Sequence, residues 1–479
     1  MSLLEDIGVH ISKELITQTP KNATDRNVLS AKFIRDNVMT GKVIRTGSEL
    51  IEYMGSPTSG DGYLVNSVTL PSDTPSTFAL GGHKKLIGIG RPTITIPSGK
   101  RLVWTGSAPY NCLIEGIHFV GQGYDEFIVV HSNRTADFSS ANIEIRDCTA
   151  SKVVSAILVT GATGANKSPK FTITRGSFDK CGREGSHSPV SMDWNITSLV
   201  IDGTTFTDSF SNVIHVHGAE SANPYVAVRD VKIKGFQRNG IEYFGLSGGF
   251  VTNTEVDARW NDAGEQPTAW GDGIAISFDG SNNHAFKCHV KHFPWIGIEI
   301  VNGSHSSVKN CIIDTWTSRG ASITCLGVSV DKMNRAEISN NIFRNINHGS
   351  VEAFCIQLIG SLLSPAIHTK IFGNTFHNSL HCVRLHDSYV GSSVITENTA
   401  VFGTATDNRK VVVDIRGGTG PSGKNIVMNN RGYNALGRDP LEVAFHLAVD
   451  ATAEAYVGGS SHITGPAGFG GQGNNYVFE

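Results

Sequence analysis

Residues 239–245 read NGIEYFG, and the alternation inside them decides how the chain folds. In an extended strand successive side chains point to opposite faces, so Ile241 and Tyr243 take one face and Glu242 and Phe244 the other. The same short strand returns as NVIHVHG (212–218), DGIAISF (272–278), IGIEIVN (296–302), FCIQLIG (354–360), HCVRLHD (381–387) and VVVDIRG (411–417). Its flanking positions stay apolar while the central residue varies freely.

Aligned on the first core residue, the repeats place Ile157, Met192, Ile214, Ile241, Ile274, Ile298, Ile323, Ile356, Val383 and Val413 in one row. Successive gaps run from 22 residues (192 to 214) to 35 (157 to 192). A second type of strand falls between them, as in SLVIDGTTF (198–206), AEISNNIFRNI (336–346) and TKIFGNTFHNS (369–379). Units of variable length, built from β-branched strands with Gly, Asn and Ser turns and without helical periodicity, predict an all-β solenoid. A β-propeller would need four strands per unit and a steadier period. Coils stacked about 4.8 Å apart make parallel sheets around a continuous apolar column.

Composition narrows the function classes. The 479 residues carry 40 Lys and Arg against 43 Asp and Glu, a formal charge of −3, with the cations scattered, which argues against a nucleic-acid surface. Eight cysteines lie in strand-like apolar surroundings without metal-ligand or disulfide-framework spacing, so they read as buried free thiols. The N-terminus has acidic residues within its apolar pattern, unlike a secretory signal, and no apolar run approaches a membrane span.

Around the solenoid, Leu3, Leu4, Ile7, Ile11 and Leu15 recur at helical spacing in residues 1–44, a helical cap or attachment segment. Residues 45–110 read as a cap with a first coil, 111–435 as the β-helix, and the Gly-rich 436–479 as a C-terminal cap or tail.

The coil pattern of 111–433, with KKLIGIGRPTITIP (84–97) as a first coil, resembles the right-handed parallel β-helix of the pectate-lyase-like superfamily, and most closely a bacteriophage tailspike or polysaccharide depolymerase. That resemblance implies binding and cleavage of a bacterial surface polysaccharide, assembly as a homotrimer, and attachment of the N-terminus to a virion tail or baseplate after synthesis in host cytoplasm. Metal-dependent lyases on this fold hold calcium with carboxylates, but no tight carboxylate triad appears at one coil position here, so neither cofactor nor metal is expected. A cellular polysaccharide hydrolase or lyase of the same group, or a non-catalytic adhesin, fits the same pattern.

Candidate chemistry lies on the outward face. The row alignment predicts an outward column of Leu158, Asp193, His215, Glu242, Ala275, Glu299, Thr324, Gln357, Arg384 and Asp414. A second column, two residues on, holds Asn195, His217, Phe244 and Ser277. Carboxylates two coils apart suit the separation of about 6.5–9.5 Å that inverting glycosidases use, which makes Glu242, Asp193 and Glu299 candidate catalytic groups with His215 and His217 beside them. The insertion EVDARWNDAGEQPTAW (255–270) adds Asp257, Arg259, Trp260 and Trp270 as sugar-contacting candidates, since indole rings stack on pyranose faces. Asp272, in WGDGIAIS (270–277), is similar to the first Asp of the GDD-x-I-A strand of polygalacturonase-type enzymes. Gly273 stands where their second Asp would be, and their His and Arg-x-Lys motifs are missing downstream.

Overall fold

The computed structural model describes residues 41–434, apart from 57, 59, 74–77, 80–82, 106–110, 123–126, 132–136, 160–166, 184–186, 194, 219–223, 261–272, 316–324, 347–352, 362, 380, 387–389, 403–410 and 417–424. Beyond 434 it describes only the strands Leu447–Val449, Ala455–Gly458 and Asn475–Phe478. The helical spacing of residues 3–15, and most of the Gly-rich tail, lie outside the described residues.

Among the described residues the strands form three parallel sheets of 17, 14 and 16 members, and the chain visits them in that order once per coil. Each strand pairs with its counterpart in the next coil, so residue Ile143 meets Phe171, Phe171 meets Leu199, and Leu199 meets Val226. This is the parallel β-helix that the repeats predict. Parallel pairing begins at Lys42↔Gly62 and continues through Gly60↔Lys84, so the segment ahead of residue 111 contributes coils of its own. It also carries helix α1 (Gly47–Gly55), whose start is fixed by a reciprocal cap. Thr46 Oγ1 accepts from the Glu49 amide at 3.2 Å, and Glu49 Oε2 accepts from the Thr46 amide at 3.0 Å. The helix buries Leu50, Tyr53 and Met54.

Between the first and second sheets the chain turns on a single left-handed residue. Asp147, Arg175, Gly203, Asp230 and Asn253 occupy that corner in five successive coils, with φ of 50 to 57°. The conformation explains the frequency of Asn, Asp and Gly in the turn signals, because these residues enter the left-handed region at least cost.

The interior row of the third sheet is Ile157, Val190, Ile214, Ile241, Ile276, Ile298, Val328, Ile356, Val383 and Val413. Three expected members are therefore replaced. Val190 takes the place of Met192 and Ile276 that of Ile274, while Val328 stands where Ile323 was expected, and Ile323 lies outside the described residues. Ile274 instead pairs with Ile296 and packs with Leu326 and Phe354 in a small apolar cluster separate from the main core. At VSMD the slip of two residues keeps every side chain on its face, so alternation alone does not distinguish the two registers; at IAIS the alternation itself breaks, because Ala275 joins the main core and Ile274 does not.

All eight cysteines are free and buried in the stack. Burial pushes the thiols of Cys148, Cys181 and Cys325 up to about 12. A ladder of buried asparagines runs beside the core. Asn341 Nδ2 donates to Asn374 Oδ1 at 3.0 Å, Asn374 to Asn398 at 2.9 Å, and Asn398 to Asn430 at 2.9 Å. Each of these acceptors also takes the backbone amide of the asparagine one coil earlier.

Two substitutions test this architecture. Ile241→Asp places an unpaired carboxylate in the core, and the expected outcome is loss of soluble folded protein or a collapse of the unfolding midpoint. Asn374→Ala orphans the Asn341 amide groups, and urea unfolding is expected to read a loss of about 1–3 kcal/mol for each orphaned group.

Candidate active site

Five neighbouring strands of the third sheet carry the site: β1 (Val190–Asp193), β2 (Ile214–His217), β3 (Ile241–Phe244), β4 (Ile274–Asp279) and β5 (Ile296–Ser304). Their register sets two outward columns. One runs Ser191, His215, Glu242, Ser277, Glu299. The next runs Asp193, His217, Phe244. Two expectations are corrected here. Asp193 stands opposite His217 rather than His215, and Ser277, not Ala275, separates Glu242 from Glu299. The first follows from the two-residue slip at VSMD, and the second from the break in alternation at Ile274 and Ala275. Ala275 is fully buried at the strand entrance, and Thr324 lies outside the described residues.

Glu242 is held by three donors. His215 Nδ1 and Asn212 Nδ2 each lie 2.6 Å from Oε2, and Asn239 Nδ2 lies 3.2 Å from Oε1. The two amides are oriented by the stack. Asn212 Oδ1 accepts the Asn239 amide at 3.0 Å, and Asn239 Oδ1 accepts the Ile274 amide at 3.1 Å. With each oxygen tied to a backbone N–H, the side-chain NH₂ groups must face the carboxylate. Burial raises the Glu242 carboxyl, but the hydrogen bond and charge of His215, the charge of Arg238 and the Asn239 amide outweigh it. The net position is below the ordinary glutamate value, so the group is ionised at neutral pH.

Glu242, His215 and Asn212 line a cleft of about 440 Å³ together with Ser191, Asp193, His217, Arg238 and Phe244. His217 packs edge-on against Phe244 with ring centroids 4.8 Å apart, and burial lowers its basicity. Phe244 remains 48% exposed, which leaves an aromatic face open on the cleft wall. The Glu242 carboxyl leans toward the preceding coil, because both of its 2.6 Å donors are there. That lean brings it toward Asp193 and away from Glu299, whose Oε2 accepts from Ser277 Oγ at 2.8 Å.

The insertion residues form a different cluster. Asp257, on the second sheet, is buried and accepts from Arg259 Nη2 at 2.9 Å, and His292 Nδ1 lies 3.0 Å from it. Burial raises the Asp257 carboxyl, and its bonds to Arg259 with the charges of Arg259 and His292 lower it further than that. Trp260 is 7% exposed, packs edge-on against Phe210 and directs its Nε1–H at the Phe236 carbonyl, 3.4 Å away. Trp270 and Asp272 lie outside the described residues. Gly273, the next described residue, donates its amide to the Arg238 carbonyl at 3.0 Å.

Asn212, Asn239 and Arg238 were not among the expected site residues. A signal for the asparagines was present: NVIH and NGIE put an Asn two residues ahead of the core isoleucine in adjacent coils, at the 27-residue offset that separates Ile214 from Ile241.

Residues 155–359 match the family model described as right handed beta helix region. The chain is a right-handed parallel β-helix. Among solved structures, this β-helix is similar to a tailspike protein of E. coli bacteriophage HK620 solved with a pentasaccharide, at 12% identity and TM-score 0.36, over 91% of this chain and 74% of the other. It is also similar to a periplasmic alginate epimerase, at 11% identity and TM-score 0.32, over 86% and 87% of the two chains. A third similarity is to the catalytic unit of a thermostable α-1,3-glucanase from Streptomyces thermodiastaticus, at 9% identity and TM-score 0.29, over 93% and 67%. Similarity at this level assigns no activity to the β-helix. No curated protein sequence matches the chain.

The lowered Glu242 carboxyl carries a pH signature. A depressed folded-state value contributes stability above the unfolded carboxylate value, and this contribution is lost as pH falls through the folded one. Wild type should therefore exceed Glu242→Gln in denaturant midpoint at pH 7, and the difference should shrink as pH drops below about 4.3. Midpoints measured for both proteins across that range check the sign.

Proposed function

We propose that this β-helix binds a polysaccharide across the cleft of the third sheet and cleaves a glycosidic bond there. The observation that carries the reading is the ionised Glu242, fixed by an imidazole and two amides on the floor of an open, polar cleft. Carboxylates on a sheet face that serve only for solubility stay in water. This one is largely withdrawn from water at 20% side-chain exposure, and three oriented donors offset its burial.

The surroundings suit a sugar. The exposed Phe244 ring offers a flat apolar face for a pyranose, and Arg238, Ser191, His215 and His217 offer hydrogen bonds to hydroxyls. Asp193 is the second carboxyl of the cleft, and hydrolysis by an acid and a base on opposite sides of the bond is the chemistry that we assign to the site. In its finer form the proposal is a tailspike-like homotrimer that degrades a bacterial surface polysaccharide and attaches to a virion through its N-terminal segment. An adhesin would use the same face for binding alone, and the pinned carboxylate favours cleavage over that reading.

A panel of bacterial capsular polysaccharides and O-antigens, assayed for newly released reducing ends, tests the proposal. On a substrate that the wild type cleaves, Glu242→Gln is expected to lower the rate about 10²- to 10⁴-fold while the protein stays folded at the assay temperature. Asp193→Asn is expected to do the same, and Glu299→Gln to leave the rate near wild type. Full activity in both Glu242→Gln and Asp193→Asn would place the chemistry elsewhere. Sedimentation velocity at micromolar concentration tests the trimer, and a monomer would remove it.

A further inference from the structure

We infer that His215 is the proton-accepting group of this cleft and that Glu242 positions it rather than reacting itself. The inference rests on the cleft being catalytic, and it assigns the roles within it.

The first observation is the state of the imidazole. An ionised Glu242 only accepts, so the 2.6 Å contact with His215 Nδ1 requires the proton to sit on Nδ1. In the neutral ring the lone pair is then on Nε2. That atom has no hydrogen-bond partner among the described residues, and it is not among the buried unpaired atoms. His215 lines the cleft with its side chain 25% exposed, so Nε2 is the nitrogen left open to it. Glu242, by contrast, has three of its lone-pair directions occupied by His215, Asn212 and Asn239.

The second observation is spacing. Asp193 and His215 are one coil and two residues apart by register, a Cα diagonal of about 8 Å from the coil step and strand rise. Asp193 and Glu242 are two coils and two residues apart, about 12 Å on the same estimate. An acid and a base that act on opposite sides of a glycosidic bond with one water between them need about 6.5–9.5 Å. By backbone spacing Asp193 stands nearer to His215 than to Glu242, the order that suits an acid and a base sharing one bond and one water.

The step balances as a hydrolysis. Water loses one proton to His215 Nε2 while its oxygen bonds to the anomeric carbon. The glycosidic C–O bond breaks with its electron pair on the leaving oxygen, which takes the proton of the Asp193 carboxyl. The imidazolium, stabilised by the Glu242 carboxylate, then returns its proton through solvent to Asp193, and one water has been consumed.

Two measurements test the assignment. Nitrogen-15 NMR of His215 in the wild-type protein needs no substrate, and it should place the neutral-ring proton on Nδ1; a proton on Nε2 would overturn the proposal. On a cleaved polysaccharide, His215→Ala should lose about 10²- to 10⁴-fold in kcat, and added imidazole should restore part of it. The double variant His215→Ala/Glu242→Gln should stay within about threefold of His215→Ala alone, because groups acting as one unit are not additive, and imidazole should restore it less. Near wild-type activity in His215→Ala beside an inactive Glu242→Gln would make Glu242 the reacting group and sink the inference. If His215→Ala fails to fold, His215→Gln with the NMR measurement decides. A wild type that cleaves no polysaccharide on the panel removes the reading of the cleft, and that failure is distinct from a wrong tautomer.

Discussion

Everything in this molecule depends on parallel, in-register pairing between one coil and the next. The step between coils is fixed by backbone hydrogen bonding at about 4.8 Å, and each side chain stands over the same offset in the coil below. A position in the sequence therefore becomes a position in a column. His215, Glu242 and Ser277 are neighbours because they share an offset, although 27 and 35 residues of chain separate them. The site needs no loop to assemble it. Asn212 and Asn239, at one further offset, are oriented by the same pairing that builds the fold, since their oxygens accept backbone amides of the next coil.

Such a scaffold makes a stiff support for electrostatics. The Glu242 carboxylate is withdrawn from water, which would neutralise it if its donors could move away. His215 sits on a strand of the stack, and Asn212 and Asn239 stand two residues ahead of one, tied to backbone amides, so none needs to reorganise. The same rigidity separates the roles of its carboxylates. Glu242 is turned toward the preceding coil by His215 and Asn212, while Glu299 is engaged by a serine hydroxyl, and Asp257 on another sheet is consumed by Arg259 and His292.

What could be read from the sequence follows the physics of alternation. The period of two gave away the strands, and the recurrence of NVIH, NGIE and IGIE gave away the stack and the adjacency of His215 to Glu242. Register within a face was harder, because moving VSMD by two residues leaves the same side chains pointing inward, and Asp193 was misplaced for that reason. Ala275 was misplaced for another: the alternation breaks at the entrance of IAIS, where Ala275 turns into the main core and Ile274 out of it. Trp260 and Asp257 were opaque for another: a tryptophan among acids has the composition of a sugar-binding loop whether its ring is open or packed against Phe210, and only coordinates report burial. The two asparagines carried a legible signal, an Asn at one offset in successive coils, which is the same signal that the Asn341 to Asn430 ladder displays at another corner.

The eight sealed thiols bear on how the chain must be made. Extended and exposed to an oxidant, eight cysteines can pair in about a hundred ways, and none of those pairings exists in the stacked molecule. Closing the coils withdraws every sulfur, and burial keeps the thiols that line the core protonated and unreactive. Once stacked, the molecule is chemically indifferent to whether its surroundings are reducing or oxidising. Before stacking it is not, so the speed with which the coils close sets how long the sulfurs stay open to an oxidant.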